Sequence, residues 1–307
     1  METIGVSVCS WRPSLPPQSP PNLKRFRVSS SSSPLAFTPT RENTLSLIHN
    51  SGVIACLRAN SAELAFEAAS AALRGGISVL EIVMSTPGVF QVLQQLVQEH
   101  PTVALGVGTL LNVEDAIKAK RAGAKFLMSP AMVMGIVDVI QDGEILYIPG
   151  AMTPTECLPL FNSCIGDRTH IAVSYTVLIN GDFEPFSCYH FNRNLFLQIL
   201  SAYDAGSKIV KVYPVSALGG FQYISALKKP FPHISLVASQ GIMIDSIGDY
   251  ISCGASSVVL SDAIFNKEAM AQQNFNTISQ LASVAALQGK EAVLRFDAHQ
   301  TRRTEDY

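Results

Sequence analysis

Gly52-Val53-Ile54-Ala55-Cys56-Leu57-Arg58 is an apolar run closed by a charge. Asn60 and Ser61 follow, then Ala and Leu at helical spacing as far as Leu73, then Gly75-Gly76. A second apolar run, Val79-Leu80-Glu81-Ile82-Val83-Met84, comes directly after. Asn and Ser suit the start of a helix, because their side chains accept from its free N–H groups. Glycine suits its end. The stretch predicts strand, helix, strand, with a helical crossover that makes the two strands parallel.

The same unit repeats along the chain. Further strands are expected at Val103–Val107, Phe126–Met128, Ile145–Ile148, Lys208–Tyr213, Ile234–Ala238 and Ser257–Leu260. Helices are expected from Thr86-Pro87 to His100 and over 113–121, 131–141, 221–228, 244–253 and 268–288, with Gly289–Tyr307 left as a polar tail. Eight strands in regular alternation with helices argue a closed parallel (β/α)8 TIM barrel over residues 41–288. An open doubly wound sheet would need a phosphate-binding glycine fingerprint after its first strand, and none is there.

Composition agrees. The chain has 307 residues, 48% of them hydrophobic, enough for one large barrel. Only 15% are charged, against the usual quarter or so, as expected for strands buried on both faces. A formal net charge of −2 gives no footprint for nucleic acid. No apolar run reaches the roughly 18 residues that would span a membrane. Six cysteines at irregular spacing, with no Cys-x-x-Cys pair, suggest neither a disulfide framework nor a zinc site.

Residues 1–40 differ from the rest. They hold Glu2 as their only acid beside Arg12, Lys24, Arg25 and Arg27, and are rich in Ser and Pro. Such a stretch cannot bury enough surface to order itself. A basic, serine-rich, acid-poor leader without an apolar core is the signature of an organelle transit peptide, and Ser/Pro richness favours the chloroplast. A disordered cytosolic tail is the alternative.

In this fold the active site is built at the C-terminal ends of the strands. That rule selects Arg58, Glu81, Thr109, Pro130, Pro149-Gly150, Lys211, Gln240-Gly241 and Ser261-Asp262. Lys211 lies inside the apolar run Ile209-Val210-Lys211-Val212-Tyr213-Pro214, and Glu81 inside an equally apolar one. A charge in a buried strand is expensive unless it is paired or used. In general a desolvated amine becomes a nucleophile toward carbonyls, and a desolvated carboxylate a proton shuttle. A structural ion pair between the two strands is the competing explanation.

The motifs resemble those of the 2-keto-3-deoxy-6-phosphogluconate / 4-hydroxy-2-oxoglutarate (KDPG/KHG) aldolase family, nearest its 2-keto-3-deoxy-6-phosphogalactonate branch. The matching stretches are Ile54-Ala55-Cys56-Leu57-Arg58, Leu80-Glu81-Ile82, Gly106-Val107-Gly108-Thr109-Leu110-Leu111-Asn112, Ser129-Pro130, Ile148-Pro149-Gly150, Lys211-Val212-Tyr213-Pro214 and Gln222–Lys228. They fall in the family's order across about residues 44–285. The resemblance implies a class I aldolase that cleaves a 2-keto-4-hydroxy acid to pyruvate and an aldehyde. It makes Lys211 the Schiff-base lysine and Glu81 the general acid/base. Arg58 and Thr109 would hold the substrate carboxylate, and Pro130, Gly241 and Ser261 would line the substrate site. It calls for no metal and no cofactor, since the iminium itself is the electron sink. It also implies a homotrimer. A catalytically silent barrel with a regulatory or interaction role, and a decarboxylase or isomerase of a phosphorylated sugar, are the competing functions.

The sequence departs from the family in three places. Ser85 stands where one branch carries arginine, while the galactonate-type branch has small polar residues there. In the phosphate-binding stretches, Gln240 and Leu260 each replace a glycine, which opens the possibility of a smaller, unphosphorylated 2-keto acid. Finally, about forty residues, 157–198, have no counterpart and are expected to pack poorly or to be disordered. A translated non-coding segment is the favoured explanation, and a lid or oligomer contact the other.

Overall fold

The computed structural model describes residues 41–141, 143–151 and 198–305. The expectations for residues 1–40 and for nearly all of the 157–198 insert lie outside these residues. The chain order is α1 (Arg41–Ser51), β1 (Val53–Leu57), α2 (Ala62–Arg74), β2 (Val79–Val83), α3 (Val89–Glu99), β3 (Ala104–Gly108), α4 (Val113–Arg121), β4 (Phe126–Met128), α5 (Met134–Val139), β5 (Leu146–Ile148) and β6 (Gly150–Ala151). Helical residues 198–204 lead into β7 (Ile209–Val212), α6 (Phe221–Lys228), β8 (Ser235–Ser239), α7 (Ile247–Ser252), β9 (Ser257–Leu260), α8 (Lys267–Ala271) and α9 (Phe275–Glu305).

All strands pair in parallel, in the order β5-β4-β3-β2-β1-β9-β8-β7-β6. Only Pro149 separates β5 from β6, so the two are halves of one strand. The first half pairs with β4 and the second with β7. Proline has no N–H for a ladder, but its carbonyl accepts from the Lys211 N–H at 2.8 Å. The sheet therefore closes at eight strand positions, and the (β/α)8 barrel expected from the alternation is what forms.

Alternation along each strand sorts the side chains. Ile54, Val79, Ala104, Phe126, Met128, Leu146, Ile148, Ile209, Val237 and Val259 share the barrel interior. Val53, Ala55, Leu57, Leu80, Ile82 and Val210 face the helices. In α2 the buried residues include Ala65, Ala68, Ala69 and Ala72, small enough to let the helix lie close on the sheet.

Two features depart from the sequence reading. Helix α1 was not anticipated; Leu45, Leu47 and Ile48 close the barrel interior from below. The expected polar tail, Gly289–Tyr307, is instead helical as far as Glu305. Helix α8 ends at Ala271, a break follows with Gln273 at φ 52°, and α9 runs on through Gly289. A glycine inside a helix costs about 1 kcal/mol relative to alanine, so it reads as a stop. Here a Cβ at Gly289 would strike the Ser51 carbonyl oxygen at 2.5 Å. The glycine is what lets α9 press on the end of α1, and Ala282, Ala285, Ala286 and Ala292 bury the same face.

Candidate active site

The sequence-selected residues all stand at one end of the barrel. Arg58 follows β1, Glu81 lies within β2, Thr109 follows β3, Pro130 follows β4, Lys211 lies within β7, Gly241 follows β8 and Ser261 follows β9. Parallel strands put every one of these positions at the same C-terminal mouth.

Glu81 and Lys211 point into the interior, one pleat above Val79 and Ile209. Their exposures are 2% and 8%. The structural ion pair between the strands does not form: among the described residues neither side chain has an ionic partner within 4.0 Å. Glu81 Oε2 is buried with no hydrogen-bond partner, an arrangement that costs on the order of 1–3 kcal/mol or more for a charged group. Lys211 Nζ sits 5.7 Å from the centroid of the Tyr213 ring.

The local backbone is shaped around the carboxylate. Gly106 and Gly108 are the inward positions of β3, in register with Glu81 and Val83. A Cβ on Gly108 would land on the Glu81 carboxyl group, so that side chain lies flat over the glycine. A Cβ on Gly106 would meet the Phe126 ring at 2.6 Å. These contacts give the Gly-x-Gly-Thr stretch its physical meaning: the first glycine admits a ring and the second admits a carboxylate. Thr109 then takes φ 62°. A β-branched residue is strained there, and such strain clusters at functional sites.

The mouth loops are tied to one another. Thr86 Oγ1 accepts from the Ala59 N–H at 3.3 Å, which fixes the backbone beside Arg58. Leu110 N–H donates to Met128 O at 3.1 Å. Tyr147 OH lies 2.7 Å from Ser129 Oγ and accepts from the Val133 N–H at 3.0 Å, holding the loop that carries Pro130. A Cβ on Gly150 would collide with the Pro130 carbonyl, so that loop crosses the fifth strand at backbone contact.

Sequence reasoning passed over Cys56. It is the inward residue of β1 above Ile54, and it is in register with Glu81. Burial pushes its thiol well up, the Glu81 charge adds to the rise, and Lys211 and Arg58 pull against it. The four side chains are thus within electrostatic reach of one another. Alternation from Ile54 was the available signal.

The two glycine replacements fare differently. Leu260 is fully buried among the residues that face the helices, so its side chain does not enter the mouth. Gln240 does stand at the mouth, exposed, at φ 82°. Gly241 beside it has φ 72°, and a Cβ there would strike Ser216 at 2.6 Å. A cavity of about 370 Å³ lies at the opposite end, between α5 and residues 205–208. Its described lining includes Arg41 and Lys208 but no carboxylate, so no acid–amine pair forms there.

The family model for KDPG and KHG aldolase matches residues 45–162 and 194–281. A 2-dehydro-3-deoxy-phosphogluconate aldolase of Pseudoalteromonas atlantica is 25% identical over 222 residues, covering 71% of this chain and 81% of the relative. The solved "Native KDPGal structure" superposes with a TM-score of 0.60 at 20% identity, covering 79% of this chain and 96% of that one. A KDPG aldolase from Legionella pneumophila, with pyruvate captured as a covalent carbinolamine, superposes with a TM-score of 0.59 at 22% identity, covering 79% and 97%. With the family model matching well over half of its length, the chain belongs to the KDPG and KHG aldolase family.

Proposed function

We propose that this aldolase, a lyase of carbon–carbon bonds, cleaves a 2-keto-4-hydroxy acid to pyruvate and an aldehyde through a Schiff base on Lys211. One observation carries the reading: Lys211 and Glu81 face the same closed interior at the strand ends, buried and, among the described residues, without an ion-pair partner. The lysine amine adds to the C2 keto group, and loss of water gives an iminium. Glu81, directly or through a water, takes the proton of the C4 hydroxyl. The C3–C4 bond breaks, its electron pair flows into the iminium, and the aldehyde leaves. The resulting enamine is protonated at C3, and hydrolysis releases pyruvate and the free amine. Arg58 grips the substrate carboxylate through its planar guanidinium, and Thr109 helps to hold it.

The acceptor end is less built. Gln240 holds a left-handed backbone that glycine would take freely, and it brings an exposed side chain to a loop at the mouth. We therefore read the preferred substrate as compact and unphosphorylated. Ser85-Thr86-Pro87 supports the galactonate-type branch. The family resemblance supports a homotrimer, for which exposed Leu111, Val113 and Met134 offer an apolar face. The basic, serine-rich first forty residues support a chloroplast address.

The test is borohydride reduction in the presence of pyruvate. The expected result is one pyruvyl adduct, mapped to Lys211. Lys211→Met is expected to abolish it and to cut kcat by at least about 10⁴-fold. A folded protein that takes no label would sink the proposal in favour of a silent barrel.

A further inference from the structure

Cys56 offers an inference that rests on the Schiff-base reading. It is the one inward side chain of β1 that lies level with Glu81. On the other side of Glu81, β3 offers only Gly106 and Gly108, which have no side chain to donate a hydrogen bond. Among the described residues Glu81 Oε2 has no hydrogen-bond partner. The charged groups there that act on the Cys56 thiol are Glu81 of β2, which is also in hydrogen-bond reach of it, Lys211 of β7 and Arg58 after β1. Neither Lys211 nor Arg58 makes an ion pair with Glu81.

We infer that Cys56 is a positioning residue for Glu81, confining the carboxylate between the thiol and Gly108 and governing how readily it takes the substrate's proton. Burial and the adjacent negative charge keep the thiol protonated, so it is no thiolate nucleophile. As a neutral group it can give the carboxylate at most a weak S–H hydrogen bond. A weak donor suits a general base. A strong one would stabilise the ionised form and blunt proton abstraction, and a hydrocarbon would leave the carboxylate still less satisfied.

The experiment compares Cys56→Ser and Cys56→Val with the unaltered chain, reading kcat/KM against pH together with borohydride trapping of pyruvate. The hydroxyl donates more strongly than the thiol, so the acid limb of the Cys56→Ser profile is expected to move down by on the order of half a pH unit. The Val side chain donates nothing, and the limb of Cys56→Val is expected to move up by a similar amount. Cys56→Ala is expected to follow Cys56→Val in direction, should the larger side chain disturb packing. A merely structural cysteine would change stability without moving the limb in opposite directions. Trapping separates the two failures. If Lys211 labels normally while the limb stays fixed in Ser and Val or Ala variants, the role of Cys56 is overturned and the Schiff base stands. If Lys211 never labels in the unaltered chain, the Schiff-base reading fails first.

Discussion

At the base of the barrel, Ile54, Val79 and Ile209 meet Leu45, Leu47 and Ile48 of α1. One pleat higher on the same three strands stand Cys56, Glu81 and Lys211. Ile54, Val79, Ile209 and Ile48 below, and Glu81 and Lys211 above, are buried, while Leu45, Leu47 and Cys56 are partly so. The lower layer contributes to stability, at about 25 cal/mol for each Å² of apolar surface buried. The upper layer costs stability, because its carboxylate carries an orphan oxygen. The difference teaches that burial has two uses within one core. Below, it holds the strands together; above, it gathers polar groups with few partners at one mouth. The comparison also explains the glycines: β3 carries Ala104 at the base level but Gly106 and Gly108 above it, where space is given to a ring and to the carboxylate.

Substitutions at the two levels should break this comparison in opposite ways. Among substitutions that leave the reacting side chains themselves intact, Gly108→Ala is expected to have the largest effect. The new methyl would displace the end of the Glu81 side chain, which is flexible enough to move without unfolding the barrel. A misplacement of that order costs about 10²-fold in kcat, while circular dichroism and the melting temperature should stay close to those of the parent. Activity equal to the parent would show that Glu81 need not lie over β3.

Ile48→Ala probes the base. Ile48 is fully buried in the plug, and truncation should cost about 2–4 kcal/mol, read by urea denaturation. Its kcat at 25 °C should stay within about twofold of the parent while the chain remains folded. A large loss of kcat with unchanged stability would mean that the base and the mouth are coupled.

His49 gives the smallest effect. Burial holds its imidazole below the usual value, with Asp297 opposing and Lys228 assisting. The unfolded chain therefore takes up the proton first as pH falls below about 6.5. The stability due to neutral His49 is complete above that pH and is lost as pH falls toward the depressed folded value. His49→Gln should flatten the fall in stability between pH 7 and 5, read by urea denaturation at the two pH values. The mouth carries no such dependence through this residue, so the pH profile of kcat/KM should be unchanged.

How much of this was legible in the sequence follows from the kind of signal each part leaves. The strands are short runs buried on both faces, and they are plain on the page. Lys211 and Glu81 stand out because charges rarely sit in such runs. Helix α1 left a faint mark: in Arg41–Ser51 the buried residues are Thr44, Ile48 and Ser51, two of them polar. The end of α9 was hidden by Gly289, whose role lies in a contact with Ser51, 238 positions earlier by number. The orientation of Leu260 was hidden for a similar reason. Its neighbours in sequence point to the mouth, but its place in the pleat turns it toward the helices. Cys56 was the opposite case, since the rule that places Ile54 inside also places Cys56 inside.

Strand β1 pairs with β9, and α9 lies against Ser51 at the end of α1. The barrel is thus closed by joining its first strand to its last. Glu81 and Lys211 are both made well before Ser257, the first residue of β9. A growing chain cut short there would hold the carboxylate, the amine and the guanidinium in an open sheet flooded by water, with long-range pairing still to come. The barrel that buries the carboxylate and the amine therefore exists only once its last strand has joined its first.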